Sequence, residues 1–144
     1  MHAPDPQFAA RVRESFGRQK AMALIGASLG SVEAGEVEVV LPYREDLTQQ
    51  KGFIHGGILG MIADTACGYA AFSLMPAGGS LVTVEYKMNI LTPGRGALVA
   101  RGKVIRPGRT LTVARAEVYA DDGAHVATML QTLMALPGRP DSPE

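Results

Sequence analysis

The chain has 144 residues, 47% hydrophobic and 19% charged, enough to fold around a single core and too apolar for a disordered segment. The 14 Lys and Arg residues balance 14 Asp and Glu with no long run of either sign, which argues against nucleic acid as the main partner. Cys67 is the only cysteine, so an internal disulfide and a zinc site built on several cysteines are both excluded.

Residues 1–19 form an N-terminal helix region. Phe8, Val12 and Phe16 share one side of a helix over 6–17. No apolar core follows a positive start there, so the segment does not read as a secretory signal, and a soluble cytoplasmic protein is expected. AMALIGASL (21–29) reads as a first strand and EVEVVL (36–41), which alternates strictly, as a second. The polar stretch 42–52 is a loop. Residues 56–74 are too long for one strand, and their Ala, Leu, Met and Ile content predicts a helix that is apolar nearly all round and therefore buried. The apolar segment 53–75 is interrupted by His55, Asp64 and several glycines, so it is not expected to span a membrane.

After Pro76-Ala77-Gly78-Gly79 the period changes to two. In LVTVEYKMNI (81–90), Val82, Val84, Tyr86, Met88 and Ile90 share one face, and Thr83, Glu85, Lys87 and Asn89 the other. Strands follow over 97–105, 110–120 and 124–135, the last two joined at Asp121-Asp122-Gly123. Residues 137–144 read as a flexible tail. The order helix, two strands, long helix, four strands predicts an α+β domain over 1–136, with an antiparallel sheet of five or six strands covering one apolar helix. The absence of βαβ alternation argues against a parallel nucleotide-binding sheet.

Chemistry concentrates in GFIHGGILGMIADTACGYAAF (52–72). A helix starting near Gly56 leaves its first amides without intrahelical acceptors, at the positive end of the helix dipole. Glycine there lets a substrate approach the backbone, and such an end stabilises an oxygen that gains negative charge. The plainer reading is that Gly56 and Gly57 only permit a tight turn. Asp64 is a carboxylate on an apolar helix, so it must be hydrogen-bonded, protonated or directed into a cavity; it is a candidate base or nucleophile, or else an Asp at a solvated helix edge. Eight residues of helix span roughly 12 Å, whereas a base and an oxyanion donor must both lie within about 3.5 Å of the reacting group. One straight helix cannot supply both to one carbonyl. Two antiparallel copies can, so if both groups act together the protein is expected to be at least a homodimer with two equivalent sites. No GxSxG elbow, P-loop or HExxH metal motif is present, no metal or cofactor is expected, and Cys67 reads as a small core residue.

HGG with an acid nine residues after the histidine, TVEYKMNILTPG (83–94) and VIRPGRTLTVARAEVYADDGAHVATM (104–129), in that order, resemble the hotdog-fold acyl-CoA thioesterases of the PaaI-like branch over roughly residues 20–136. The resemblance implies a long central helix wrapped by a curved antiparallel sheet, dimers often paired into tetramers, and hydrolysis of acyl-CoA. It implies that the Gly56 amide polarises the thioester carbonyl and that Asp64 is the nucleophile or activates water. It further implies that Gln49, where the branch has Asn or Gln, and Thr83 orient that water. His55 shapes the motif, Gly57 lies beside the substrate, and Arg106, Arg109 and Thr110 lie near the CoA phosphates, solvated surface charges being the plainer reading of the arginines. Met61, Tyr69 and Phe72 are candidates for the acyl pocket, plain core being the alternative. A non-catalytic acyl-CoA-binding module and a hotdog 3-hydroxyacyl thioester dehydratase, which would have to use His55, are the other readings.

Overall fold

The computed structural model describes residues 1–143. Helix α1 (Phe8–Gly17) and a short α2 (Lys20–Ile25) precede strands β1 (Ser28–Glu33) and β2 (Glu36–Leu41); the long helix α3 (Gly56–Phe72) follows, then β3 (Ser80–Ile90), β4 (Leu98–Arg106), β5 (Leu111–Ala120) and β6 (His125–Leu136). All six strands join one antiparallel sheet in the order β1-β2-β4-β5-β6-β3. This is the hotdog architecture, with α3 as the filling. Among the described residues no helix is long and apolar enough to cross a membrane.

The first strand expected over 21–29 is displaced. Lys20–Ile25 is helical, and Gly26 (φ 76°) caps it in the left-handed conformation before β1 begins at Ser28. The residues KAMALI are all acceptable or good helix formers, and a short apolar run carries too little periodicity to separate helix from strand.

Helix α3 lies on the sheet through small residues. Ala63, Ala66 and Ala70 of the helix and Ala100, Ala114 and Ala116 of the sheet are fully buried. Contact is closest at Gly102 in β4, where a Cβ would stand 2.3 Å from the carbonyl carbon and oxygen of Ala66. Only glycine lets the helix backbone settle this near the strand. Arg11 ties α1 to the far end of α3: its guanidinium donates to the Met75 carbonyl (2.6 Å), pairs with Asp5 (3.0 Å) and lies over the Phe72 ring. The stretch after β6 runs back over α1, where Asp141 accepts from Ser15 Oγ and pairs with Arg18 (3.0 Å).

Strand β3 departs from simple alternation. Its pairing with β6 shifts register between Thr83 and Glu85, so Thr83 sits opposite Leu133 but Glu85 opposite Thr132. This bulge turns Thr83 to the helix-facing side, together with Tyr86, Met88 and Ile90, and leaves Val82 on the outer side beside Met134. The period-two assignment of Thr83 to the face with Lys87 and Asn89 is thereby corrected. β3 is also a sheet edge, and Val82, Val84, Tyr86 and Ile90 are 44–55% exposed along it.

Candidate active site

The sequence-predicted residues other than Arg106, Arg109 and Thr110 fall into two groups, one near each end of the first two and a half turns of α3.

At the N-terminus of α3, His55 is the cap. It is extended (φ −58°, ψ 137°), and its Nδ1 accepts from the Gly57 amide at 2.8 Å. The Ile58 and Leu59 amides bond to the His55 carbonyl. The Gly56 amide is thus left with no acceptor among the described residues. It is an N–H at the positive end of a 17-residue helix, the arrangement that favours an oxygen gaining negative charge. A Cβ on Gly56 would meet Ile90 Cδ1 at 3.0 Å, so glycine keeps this approach open. Gln49 belongs to this group. It lies in the loop that brings the Leu47 carbonyl to the His55 amide (2.9 Å), and its Oε1 accepts from the Lys51 amide.

Two turns further on, Asp64 is half-buried, and its Oδ1 accepts from Thr83 Oγ1 (2.7 Å) and from Gln131 Nε2 (2.5 Å). A carboxylate offers only acceptors, so the Gln131 amide must turn its nitrogen toward it. Gln131 is 1% exposed, and its Oε1 has no partner among the described residues, so the side chain is held for what its nitrogen does. The sequence reading did not single out Gln131. Its signal was parity: Ala127, Met129, Gln131 and Leu133 form the buried, helix-facing series of β6, and Gln131 is the one polar member.

Asp64 opens into a cavity of about 300 Å³ that also takes in Met61, Tyr69, Phe72 and Thr83. All three candidate acyl-pocket side chains therefore border the same space as the carboxylate. Cys67, one turn along, is buried, and burial first and the Asp64 charge second push its thiol well above the ordinary range, so it is inert. Among the described residues, no group of three or more His, Cys, Asp and Glu side chains comes together to hold a metal ion.

The two groups stay apart within one chain, since α3 runs unbroken from Gly56 to Phe72 and the eight-residue separation is roughly 12 Å. The basic residues are a third element. Arg106, Arg109 and Thr110 are exposed in and beside the β4–β5 connection, and neither arginine pairs with a carboxylate among the described residues. Arg106 shares a cross-strand row with Val113, Thr132 and Glu85, which puts it at the Thr83 end of the sheet but three strand spacings, roughly 14 Å, from β3.

The family model of the thioesterase superfamily matches residues 51–127, a span that holds His55, Gly56, Asp64 and Thr83. The chain belongs to the thioesterase superfamily. A crystal structure of a thioesterase family protein from Silicibacter pomeroyi is 50% identical and superposes with a TM-score of 0.88 over 91% of this chain and 99% of that one. The PaaI protein of the phenylacetic acid degradation operon of E. coli shares the fold at 21% identity, with a TM-score of 0.86 over 92% of this chain and 96% of that one. A provisionally named esterase of Halobacterium salinarum is 34% identical over 102 residues, 67% of this chain and 68% of that one. Membership of this superfamily supports acyl-thioester hydrolase activity.

Proposed function

We propose that the protein is an acyl-CoA thioesterase whose site is assembled from two copies of the chain. The observation that carries this reading is the division along α3: an oriented carboxylate at a cavity, and an unpaired amide two turns away on the same rigid helix. An antiparallel partner brings the Gly56 amide of one copy to Asp64 of the other. The long β3 edge, with its exposed apolar residues, supports such pairing, because an unprotected edge of this kind is a template for another strand. The outer side of the sheet, where Leu111, Leu130 and Met134 are exposed, supports further pairing of dimers into a homotetramer. The enzyme works in the cytoplasm on aryl or short- to medium-chain acyl-CoA.

In the reaction the Gly56 amide donates to the thioester oxygen as it becomes an oxyanion. Asp64 either attacks the carbonyl carbon directly, to be freed later by water, or takes a proton from the water that attacks. Thr83, with Gln49 from the side of the amide, holds that water. The new C–O bond forms, the C–S bond breaks, and the sulfur leaves with the electron pair as CoA thiolate. The proton gathered at Asp64 then passes to solvent or thiolate. A thiolate leaves readily, so no general acid is needed at sulfur, which suits a site with a single carboxylate. His55 acts through the shape of the helix start, its Nδ1 already committed to the Gly57 amide. That leaves it poorly placed for the dehydratase chemistry.

The test is release of free thiol from a panel of aryl and straight-chain acyl-CoA thioesters by wild type and by Asp64→Asn. Release by wild type with loss in the variant is expected. An enoyl thioester product, or intact ligand bound without turnover, contradicts the reading.

A further inference from the structure

One wall of the cavity beside Asp64 is polar: Tyr69 Oη and Ser15 Oγ lie 3.0 Å apart, and Asp141 accepts from the same Ser15 hydroxyl. Both Tyr69 and Ser15 are buried, at 5% and 6% exposure. A second, open cavity of about 480 Å³ adjoins the first, lined by the segment after β6 and by Arg18. The two cavities share Ser15, Gln19, Tyr69, Leu81 and Asp141 as boundary residues. The shared boundary is therefore made by residues from α1, the link between α1 and α2, α3, β3 and the C-terminal segment, and among the described residues Asp141 is its only member from that segment. Asp141 is fixed from outside by Arg18, whose Nη2 donates to its carbonyl oxygen (2.5 Å) and pairs with its carboxylate (3.0 Å). Arg18 is in turn held by Glu14 (3.1 Å).

We propose that Asp141, latched by Arg18 and Ser15, sets the length of acyl chain the enzyme accepts by standing between the Asp64 cavity and the larger space lined by the C-terminal segment. This rests on the reading of the Asp64 cavity as the acyl pocket. A chain short enough to end at Tyr69 and Ser15 stays among apolar neighbours such as Met61 and Phe72. A longer one must push its methyl end into a carboxylate with its paired guanidinium, at a desolvation cost that grows with each added carbon. Removing the carboxylate joins the two spaces and lets the extra methylenes be buried.

The experiment compares kcat/KM of wild type, Asp141→Ala and Arg18→Ala over the straight-chain series from butyryl-CoA to dodecanoyl-CoA. Wild type is expected to fall off toward the long end. In Asp141→Ala the ratio of decanoyl to butyryl turnover should rise about tenfold or more, the size of effect that methylene-level changes in a pocket produce. Arg18→Ala, which lies outside the Asp64 cavity, should move the ratio the same way by less, and it keeps the test decisive should Asp141→Ala fold poorly. Hydrolysis by all three proteins with the wild-type ratio unmoved overturns the length gauge alone. Failure of wild type to release thiol from any acyl-CoA overturns both the gauge and the thioesterase reading beneath it.

Discussion

The two ends of the Gly56–Asp64 stretch of α3 solve opposite problems. Around Asp64, polar groups are gathered and matched: Thr83 and Gln131 both donate to one carboxylate oxygen, and the helix, an edge strand and its neighbour must all be in place to do so. Around Gly56, one polar group is left unmatched: His55 caps the next amide and the Gly56 N–H remains bare. A folded protein tolerates an unpaired helix-end amide where a ligand or solvent reaches it, and tolerates a half-buried carboxylate where donors surround it. The contrast is between a carboxylate whose donors all come from one chain and a helix-end amide that meets no acceptor among the described residues. On the proposed reading, a second copy of α3 with a thioester between the two would complete the arrangement.

The largest expected effect is at Asp64. Asp64→Asn keeps an oxygen for Thr83 and Gln131 to bond, so the fold should persist, while thiol release falls by about 10³-fold or more. Unchanged circular dichroism with activity near wild type would remove Asp64 from the mechanism. Next comes the amide itself. Proline is tolerated at the first helical position, and the extended ψ of His55 (137°) suits a following proline. Gly56→Pro in an Ile90→Val background, which clears the contact at Ile90 Cδ1, removes the donor, and with Gly56→Ala in the same background as the control for added bulk it should lower kcat by about 10²-fold beyond that control. A fall confined to KM would mean the amide binds substrate without stabilising the oxyanion.

Smaller losses should follow from the donors to Asp64. Gln131→Leu and Thr83→Val should each reduce kcat about tenfold, in keeping with loss of one hydrogen bond to a charged group. The pair should be non-additive, since both orient the same oxygen. Strictly additive losses from the double variant would indicate separate roles. The smallest effect belongs to the basic turn. Arg106→Ala and Arg109→Ala should raise KM a few-fold for acyl-CoA and leave acyl-N-acetylcysteamine, which lacks the phosphates, unaffected. Equal effects on both substrates would place the arginines outside CoA recognition.

Much of this contrast was legible in the residues. The apolar all-round pattern of 56–74 marked the buried helix, alternation in EVEVVL and LVTVEYKMNI and the turns between the later strands marked the sheet, and HGG with Asp64 marked both halves of the candidate site. What escaped reading depended on pairing between distant segments. A bulge is a property of two strands, so nothing within LVTVEYKMNI reveals that Thr83 turns inward. Gln131 became meaningful only once β6 was seen to face α3 with alternate residues, because a single glutamine in a strand has no motif. KAMALI was ambiguous for a local reason: six residues are too few to separate a helical period from a strand. The position of Asp141 depends on a contact with Ser15, 126 residues earlier, which no local pattern encodes.

The central claim, that one active site draws its amide and its carboxylate from different chains, is tested most directly by mixing two inactive proteins. Asp64→Asn and Gly56→Pro/Ile90→Val should each be nearly inactive alone. After co-expression or unfolding and refolding together, mixed dimers carry one site with an intact Gly56 from one copy and an intact Asp64 from the other. Thiol release should then recover to about a quarter of the wild-type rate under random pairing. If the mixture, with mixed dimers demonstrated by differential tagging, stays as inactive as its components, the amide and the carboxylate act within one chain and the two-chain site is wrong.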